Sequence, residues 1–277
     1  MKEPTETSKF SFNEGLEELV KQIDKNNGQL ICIAGRPAMG KNALMISIAL
    51  NLAENDIPPV IFSLKMSNIQ IIRRLISAYS GIEFEKIRTN NLSKEDEKLH
   101  TNFNETLFQF PLYIDDTAGI TIEEIITRIR KLKNDKDINV VFIDYLQLIN
   151  ISRQNKSRKE EITQILEELQ QLSREINLTI IVLYMISKIL MQEWTTGESF
   201  SENDYRQSLT RDIIRSENCN PDYFDKIIFI HRPMYYTRAS HSGGWDHQEI
   251  NVMIDDFQSG KQEELKLTFN RTILKIE

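Results

Sequence analysis

The chain is poor in cysteine: 277 residues carry only Cys32 and Cys219. One possible pair cannot build a disulfide framework, so the sequence reads as a reducing, cytoplasmic protein. It lacks any unbroken apolar run of the roughly 18 residues that a membrane-spanning helix needs. Its first residues, MKEPTETSKF, lack the apolar stretch of a signal peptide. Positive charge is also short. The formal net charge is −7, which excludes a global basic field for nucleic acid and leaves only a local basic segment to do that work. No Ser-His-Asp or Cys-His arrangement rises above chance. His241, Asp246 and His247 share a polar stretch with no third strong ligand at metal-site spacing. There is no internal repeat and no low-complexity segment.

What is present is ordinary for a globular chain: 40% hydrophobic and 27% charged residues. That supports one large α/β domain. The pattern predicts a flexible tail over 1–12 and a single domain over 13–277. Leu16, Leu19, Val20 and Ile23 have helical spacing within 13–26. Strands are expected at 29–35, 58–64, 110–116, 138–146, 178–185 and 225–231. Helices are expected at 41–54, from the Ser67/Gln70 capping box to about Tyr79, over 90–106, after the Thr121/Glu124 box, and along the stripe Ile162, Ile165, Leu166, Leu169, Leu172, Ile176. Stretches 191–210 and 233–248 read as polar loops, and EINVMIDDF with ELKLTF as a terminal hairpin. Alternating strands and helices imply a mostly parallel sheet covered on both faces.

The segment AGRPAMGKNALM, residues 34–45, follows a strand and opens a helix. It fits the phosphate-loop template G-x-x-x-x-G-K-[ST] at Gly35, Gly40 and Lys41 and departs at the last position, Asn42. Glycines let backbone N–H groups converge on phosphate oxygens, and the helix adds its positive N-terminus. Arg36 and Ala43 belong to the same candidate loop. VVFIDYLQL ends an apolar strand in Asp144, as a Walker B strand does. The hydroxyl missing at Asn42 is the group that normally ligates Mg²⁺. An Asn amide oxygen can bind a metal, but it sits one bond further out. Asn42 and Asp144 are the candidate magnesium positions.

These segments, with IFSLKMS, SREINLTIIVL and FIHRPMYY, stand in the order and spacing of one family. Over about residues 10–277 the chain resembles the C-terminal ATPase domain of DnaB-type replicative helicases, hexameric RecA-like motors. The resemblance implies a RecA-like P-loop fold, ATP and Mg²⁺ as ligands, and ATP hydrolysis coupled to strand translocation in DNA replication. It also implies self-association in a ring and contact with DNA. Arg232 matches a family arginine, as Tyr235 and Tyr236 match tyrosines; the tyrosines read equally well as packing.

The departures fall on the catalytic positions. The family's FSLEM, whose Glu is taken to polarise the attacking water, is FSLKM here, with Lys65. The family's LSQLxR at the end of the fifth strand is LYMISK, which puts Met185 at the Gln and Lys188 at the Arg. The family's K-x-R-N-G segment, which supplies cationic fingers to the neighbouring subunit, is DDFQSG, with Asp256 and Gln258 at those positions. A finger is worth roughly 10³ to 10⁵ in phosphoryl-transfer rate. The expectation is a retained fold with impaired or lost hydrolysis: a nucleotide-binding adaptor or regulator of a true helicase. An active helicase with a variant site is the alternative. The chain starts about ten residues before the resemblance. No N-terminal helical domain or linker helix is therefore expected, which leaves a stable ring unsupported. Arg153, Lys156, Arg158 and Lys159 form a basic stretch after the Walker B strand, readable as a DNA contact or as a solvated loop and helix start.

Overall fold

A computed structural model describes residues 14–23, 28–152, 157–186, 210–233 and 247–277. Among them, nine strands form one sheet in the order β3-β2-β4-β5-β1-β6-β7-β8-β9. The strands are β1 (Leu30–Gly35), β2 (Pro59–Ser63), β3 (Tyr113–Asp115), β4 (Val140–Asp144), β5 (Thr179–Met185), β6 (Lys226–His231), β7 (His247–Asp256), β8 (Gln262–Asn270) and β9 (Lys275–Ile276). All pairings from β3 across to β6 are parallel. Those from β6 to β9 are antiparallel. The short β9 escapes a sequence reading because two residues carry no pattern.

The helices are α1 (Glu14–Gln22), α2 (Lys41–Glu54), α3 (Asn68–Ser80), α4 (Phe84–Thr89), α5 (Lys94–Leu107), α6 (Ile122–Lys136), α7 (Arg158–Glu175) and α8 (Arg211–Ser216). The sheet separates two apolar layers, and alternation along β1 sorts its side chains between them. Leu30, Cys32 and Ala34 pack in the layer built by α6, α7 and α8. Ile31 and Ile33 pack in the other, with α1, α2 and α3. Both faces of β1 are buried, which is why its sequence is continuously apolar rather than alternating.

Three boundaries differ from the sequence reading. The helix expected over 90–106 begins later, as α5 at Lys94, and the short α4 before it, Phe84–Thr89, has no counterpart in the sequence reading. Asn90, at φ 54, ends α4 in the left-handed region, and Ser93 with Asp96 forms the capping box that starts α5. Tyr79 stacks on Phe103 with ring centroids 4.3 Å apart, holding α5 to α3. The third strand shrinks from 110–116 to three residues. Arg158 and Lys159 stand in the first turn of α7 rather than in a loop, because Ser157 caps that helix reciprocally with Glu160. The stretch 191–209, most of the loop expected over 233–248, and Lys188, Arg153, Lys156, Tyr235, Tyr236, His241 and Asp246 lie outside the described residues.

Candidate nucleotide site

The parallel strands β1, β2, β4, β5 and β6 end on one edge of the sheet, and the sequence-predicted residues gather there. Gly35 ends β1. A Cβ on it would lie 2.7 Å from Ile230 Cγ2 and 3.0 Å from the Ile230 carbonyl oxygen, so only glycine fits beside β6. Gly40 caps α2 at φ 103, a conformation closed to most L residues. The loop between them thus presents its backbone to the N-terminus of a helix of 14 residues.

Lys41 lies on the inner side of this loop. Its Nζ donates to the carbonyls of Gly35 at 2.6 Å and Arg36 at 2.8 Å. An ammonium has three donors, so one remains for an anion. Burial pulls the Lys41 pKa down to about 8, and Lys65 adds to the depression while Asp144 opposes it. Arg36 and Ala43 are buried within the loop and the first turn of α2.

Arg232 follows β6 and is 4% exposed. It donates through Nη1 to the Ala38 carbonyl at 2.7 Å and through Nε to Gln248 Oε1 at 3.1 Å. Its guanidinium also lies 4.9 Å from the Phe269 ring centroid. Arg232 therefore clamps the phosphate loop onto β6 and β7.

Asp144 ends β4 and is 1% exposed. Burial raises its pKa to about 6, against the Asn42 hydrogen bond and the charges of Lys65, Lys41 and Arg74. Asn42 Nδ2 donates to Asp144 Oδ2 at 2.5 Å. A hydrogen bond to a charged group of this kind contributes roughly 1.5–3 kcal/mol. An ionised carboxylate only accepts, so the amide must turn its NH₂ toward Asp144. Turning the amide oxygen there would set two acceptors against each other. As the pair stands, a magnesium ion cannot lie between the two facing atoms, Asn42 Nδ2 and Asp144 Oδ2, where the usual P-loop arrangement has an oxygen at position 42. Asn42 Oδ1 and Asp144 Oδ1 lie outside this bond.

Lys65 follows β2. The Leu64 N–H donates to the Asp144 carbonyl at 2.8 Å, which fixes the end of β2 beside the end of β4. Lys65 Nζ lies 5.4 Å from the ring centroid of Tyr145, the residue after Asp144. Met185 ends β5. Gln147 holds it by accepting from the Met185 N–H at 3.3 Å and donating to its carbonyl at 2.9 Å. Lys65, Asp144 and Met185 therefore stand at neighbouring strand ends, beside Lys41 and Asn42 in the first turn of α2, whereas Asp256 and Gln258 do not.

Those two residues lie at the turn between β7 and β8. Asp256 Oδ1 accepts from the N–H groups of Gln258 at 2.9 Å and Ser259 at 3.1 Å. Its other oxygen lies 3.4 Å from Lys226 Nζ. Gln258 Nε2 donates to Asp225 at 3.2 Å. At these positions the side chains tie the hairpin to its own β6.

A cavity of about 340 Å³ opens against the phosphate loop. Lys41, Arg74, Arg232 and Arg271 line it with Phe269 and Leu274. Its size suits a small ligand, and its charge suits an anion. A nucleotide's phosphates fit this donor set. Arg74 from α3 and Arg271 after β8 are absent from the sequence-derived candidates. Each reads there as one more arginine on a polar face, with no motif around it. Of the basic stretch, Arg158 donates to Glu161 at 2.7 Å and to the carbonyls of Gln147 and Ile149. Lys159 is exposed.

A parallel sheet that delivers a glycine loop at one strand end and an aspartate two strands away is built as a RecA-like P-loop domain. A family model for the DnaB-like helicase C terminal domain matches residues 13–277, and the chain belongs to that family. The replicative DNA helicase DnaC of Bacillus subtilis is 31% identical over 256 residues, covering 92% of this chain and 53% of the relative. DnaB of Geobacillus stearothermophilus is 31% identical, covering 87% of this chain and 50% of the relative. The chain thus spans about half the length of these curated relatives. A solved structure described as the ATPase domain of G40P aligns at TM-score 0.76 and 25% identity, covering 98% of this chain and 92% of that one. A DnaB-like replicative helicase studied with primase aligns at TM-score 0.80 and 25% identity, covering 98% and 64%. No helix among the described residues is long and apolar enough to cross a membrane.

Proposed function

We propose that this chain is a nucleotide-binding member of the DnaB-like family whose hydrolytic step is lost or strongly impaired, and that it serves as an adaptor on a true helicase. One observation carries the reading. Asn42 bonds directly to Asp144 at 2.5 Å, joining the two positions that would share the metal. Around that pair the family's chemical groups are replaced. Lys65, where a water-polarising carboxylate is expected, cannot take a proton while it stays an ammonium. Met185 offers no hydrogen to a γ-phosphate. Asp256 and Gln258 present no cation to a neighbouring subunit. Groups of this kind act as a unit, so restoring one alone restores little.

The binding role falls to the loop backbone, Lys41, Arg74 and Arg271, with Arg232 holding the loop in shape. Bound nucleotide would lie against the cavity wall formed by α3 and the β8–β9 turn. That wall could then be read by a second protein, whether a helicase ring or another copy of this chain. The test is ATP binding by equilibrium titration, followed on the same sample by phosphate release with and without single-stranded DNA. The expected result is saturable binding without turnover. Steady turnover abolished by Lys41→Ala would sink the proposal and leave the alternative, an active DNA helicase with a variant site. The undistorted glycine loop and the presence of Asp144 are what favour that alternative.

A further inference from the structure

The disagreement between the Asn42–Asp144 pair and a magnesium ion has a counterpart in the cations around it. We infer that this site takes a nucleoside triphosphate without a divalent metal, with Lys65 standing in for the ion beside Asp144. The inference rests on the nucleotide-site reading above and adds its ionic requirement.

In a metal-dependent loop, the ion bridges the outer phosphates and neutralises their charge, while the Ser/Thr oxygen and the Walker aspartate hold it. Three features replace that arrangement. The first is the 2.5 Å contact from Asn42 Nδ2 to Asp144 Oδ2, which places an N–H donor on the carboxylate oxygen. The second is the seat of Lys65. The bond from Leu64 N–H to the Asp144 carbonyl sets the end of β2 against the end of β4, and the Tyr145 ring flanks the ammonium at 5.4 Å. Its charge lowers the pKa of both Asp144 and Lys41. The third is the cavity wall, where Arg74 and Arg271 join Lys41. Arg74 also acts on Asp144.

Lys41, Arg74 and Arg271 line the cavity and Lys65 stands at the strand end beside that of Asp144, so fixed cations can meet the charge of a triphosphate. A magnesium ion arriving with the nucleotide would meet the positive field of Lys65 and Lys41. An ion placed between Asn42 Nδ2 and Asp144 Oδ2 would also have to displace their bond, which a protein-borne ammonium leaves in place.

The test is titration of a non-hydrolysable ATP analogue into the full chain, once in excess Mg²⁺ and once in EDTA. The expected dissociation constants agree within about threefold. Lys65 is exposed, so Lys65→Gln should fold, which circular dichroism can check. It is expected to weaken binding in EDTA by about tenfold and to weaken it less in Mg²⁺. The paired variant Asn42→Thr/Lys65→Glu should bind the analogue only when Mg²⁺ is present. Wild-type binding that EDTA weakens by about tenfold or more overturns the inference and leaves the nucleotide-site reading intact. Unchanged EDTA binding in a folded Lys65→Gln variant also overturns it. Absence of binding in both buffers overturns the nucleotide-site reading and this inference with it.

Discussion

The phosphate loop and the tip of the β7–β8 hairpin carry opposite kinds of evidence. The loop keeps its geometry at every position where backbone decides: Gly35 beside Ile230, Gly40 at φ 103, and Arg232 pinning Ala38. The hairpin tip keeps its place in the fold, but Asp256 and Gln258 turn to neighbours in their own subunit. Anion binding at a P-loop rests mainly on main-chain N–H groups and one lysine. Hydrolysis rests on side chains contributed by several strand ends and by a neighbouring molecule. A chain can therefore lose the second while the folded shape that provides the first remains.

The comparison breaks most visibly if the loop is released from its clamp. Arg232→Ala removes a buried guanidinium bonded to Ala38 and Gln248 and should cost roughly 3–4 kcal/mol of stability. Urea unfolding would read this. A loss under about 1 kcal/mol would mean that the loop holds its shape without the clamp.

Acid should strain the same corner. His231, 3% exposed at the end of β6, has its pKa lowered from 6.5 to about 4 by burial, with the Arg36 charge adding to the effect. The folded state therefore prefers the neutral ring. Above pH 6.5 both states are neutral and the stability is fully present. Below it the unfolded chain takes up the proton first, so stability falls until about pH 4, by roughly 3 kcal/mol in all. Thermal melts across that window should show the slope in wild type, and His231→Gln should flatten it. An equal slope in both would assign the pH dependence to other groups.

Lys41→Ala isolates binding from shape. It should weaken ATP by about a hundredfold, near 2.7 kcal/mol, because a charge-assisted phosphate contact is lost. Fluorescent-nucleotide titration measures it, and a change below about threefold would remove Lys41 from the site. Asp256→Ala should have the smallest effect. It should lower stability by about 1 kcal/mol through the lost turn hydrogen bonds and leave nucleotide affinity unchanged. A large drop in affinity would mean that the hairpin tip serves a nucleotide site after all.

Much of the fold was legible in the chain. Apolar runs placed β1, β2, β4, β5 and β6 within a residue or two, and the capping boxes at Ser67 and Thr121 placed the starts of α3 and α6. The short α4 was missed because its six residues carry too little periodicity to read, and the later start of α5 because Asn90 in a polar stretch gives no warning that it adopts a left-handed conformation. Met185 could be assigned to a strand end, but the Gln147 clamp that holds it could not, since the two lie 38 residues apart.

The sequence by itself determined the sheet's composition, the phosphate loop and the aspartate that faces it, because each is encoded in a short local pattern. It also exposed the substitutions at Asn42 and Lys65. Only the tertiary structure decided what those substitutions do to one another. The contact between Asn42 and Asp144, the placing of Lys65 beside them, and the arrival of Arg74 and Arg271 at the same cavity depend on packing distant segments around one sheet edge. Electrostatic and hydrogen-bonding consequences follow distance in space, which local sequence pattern does not specify.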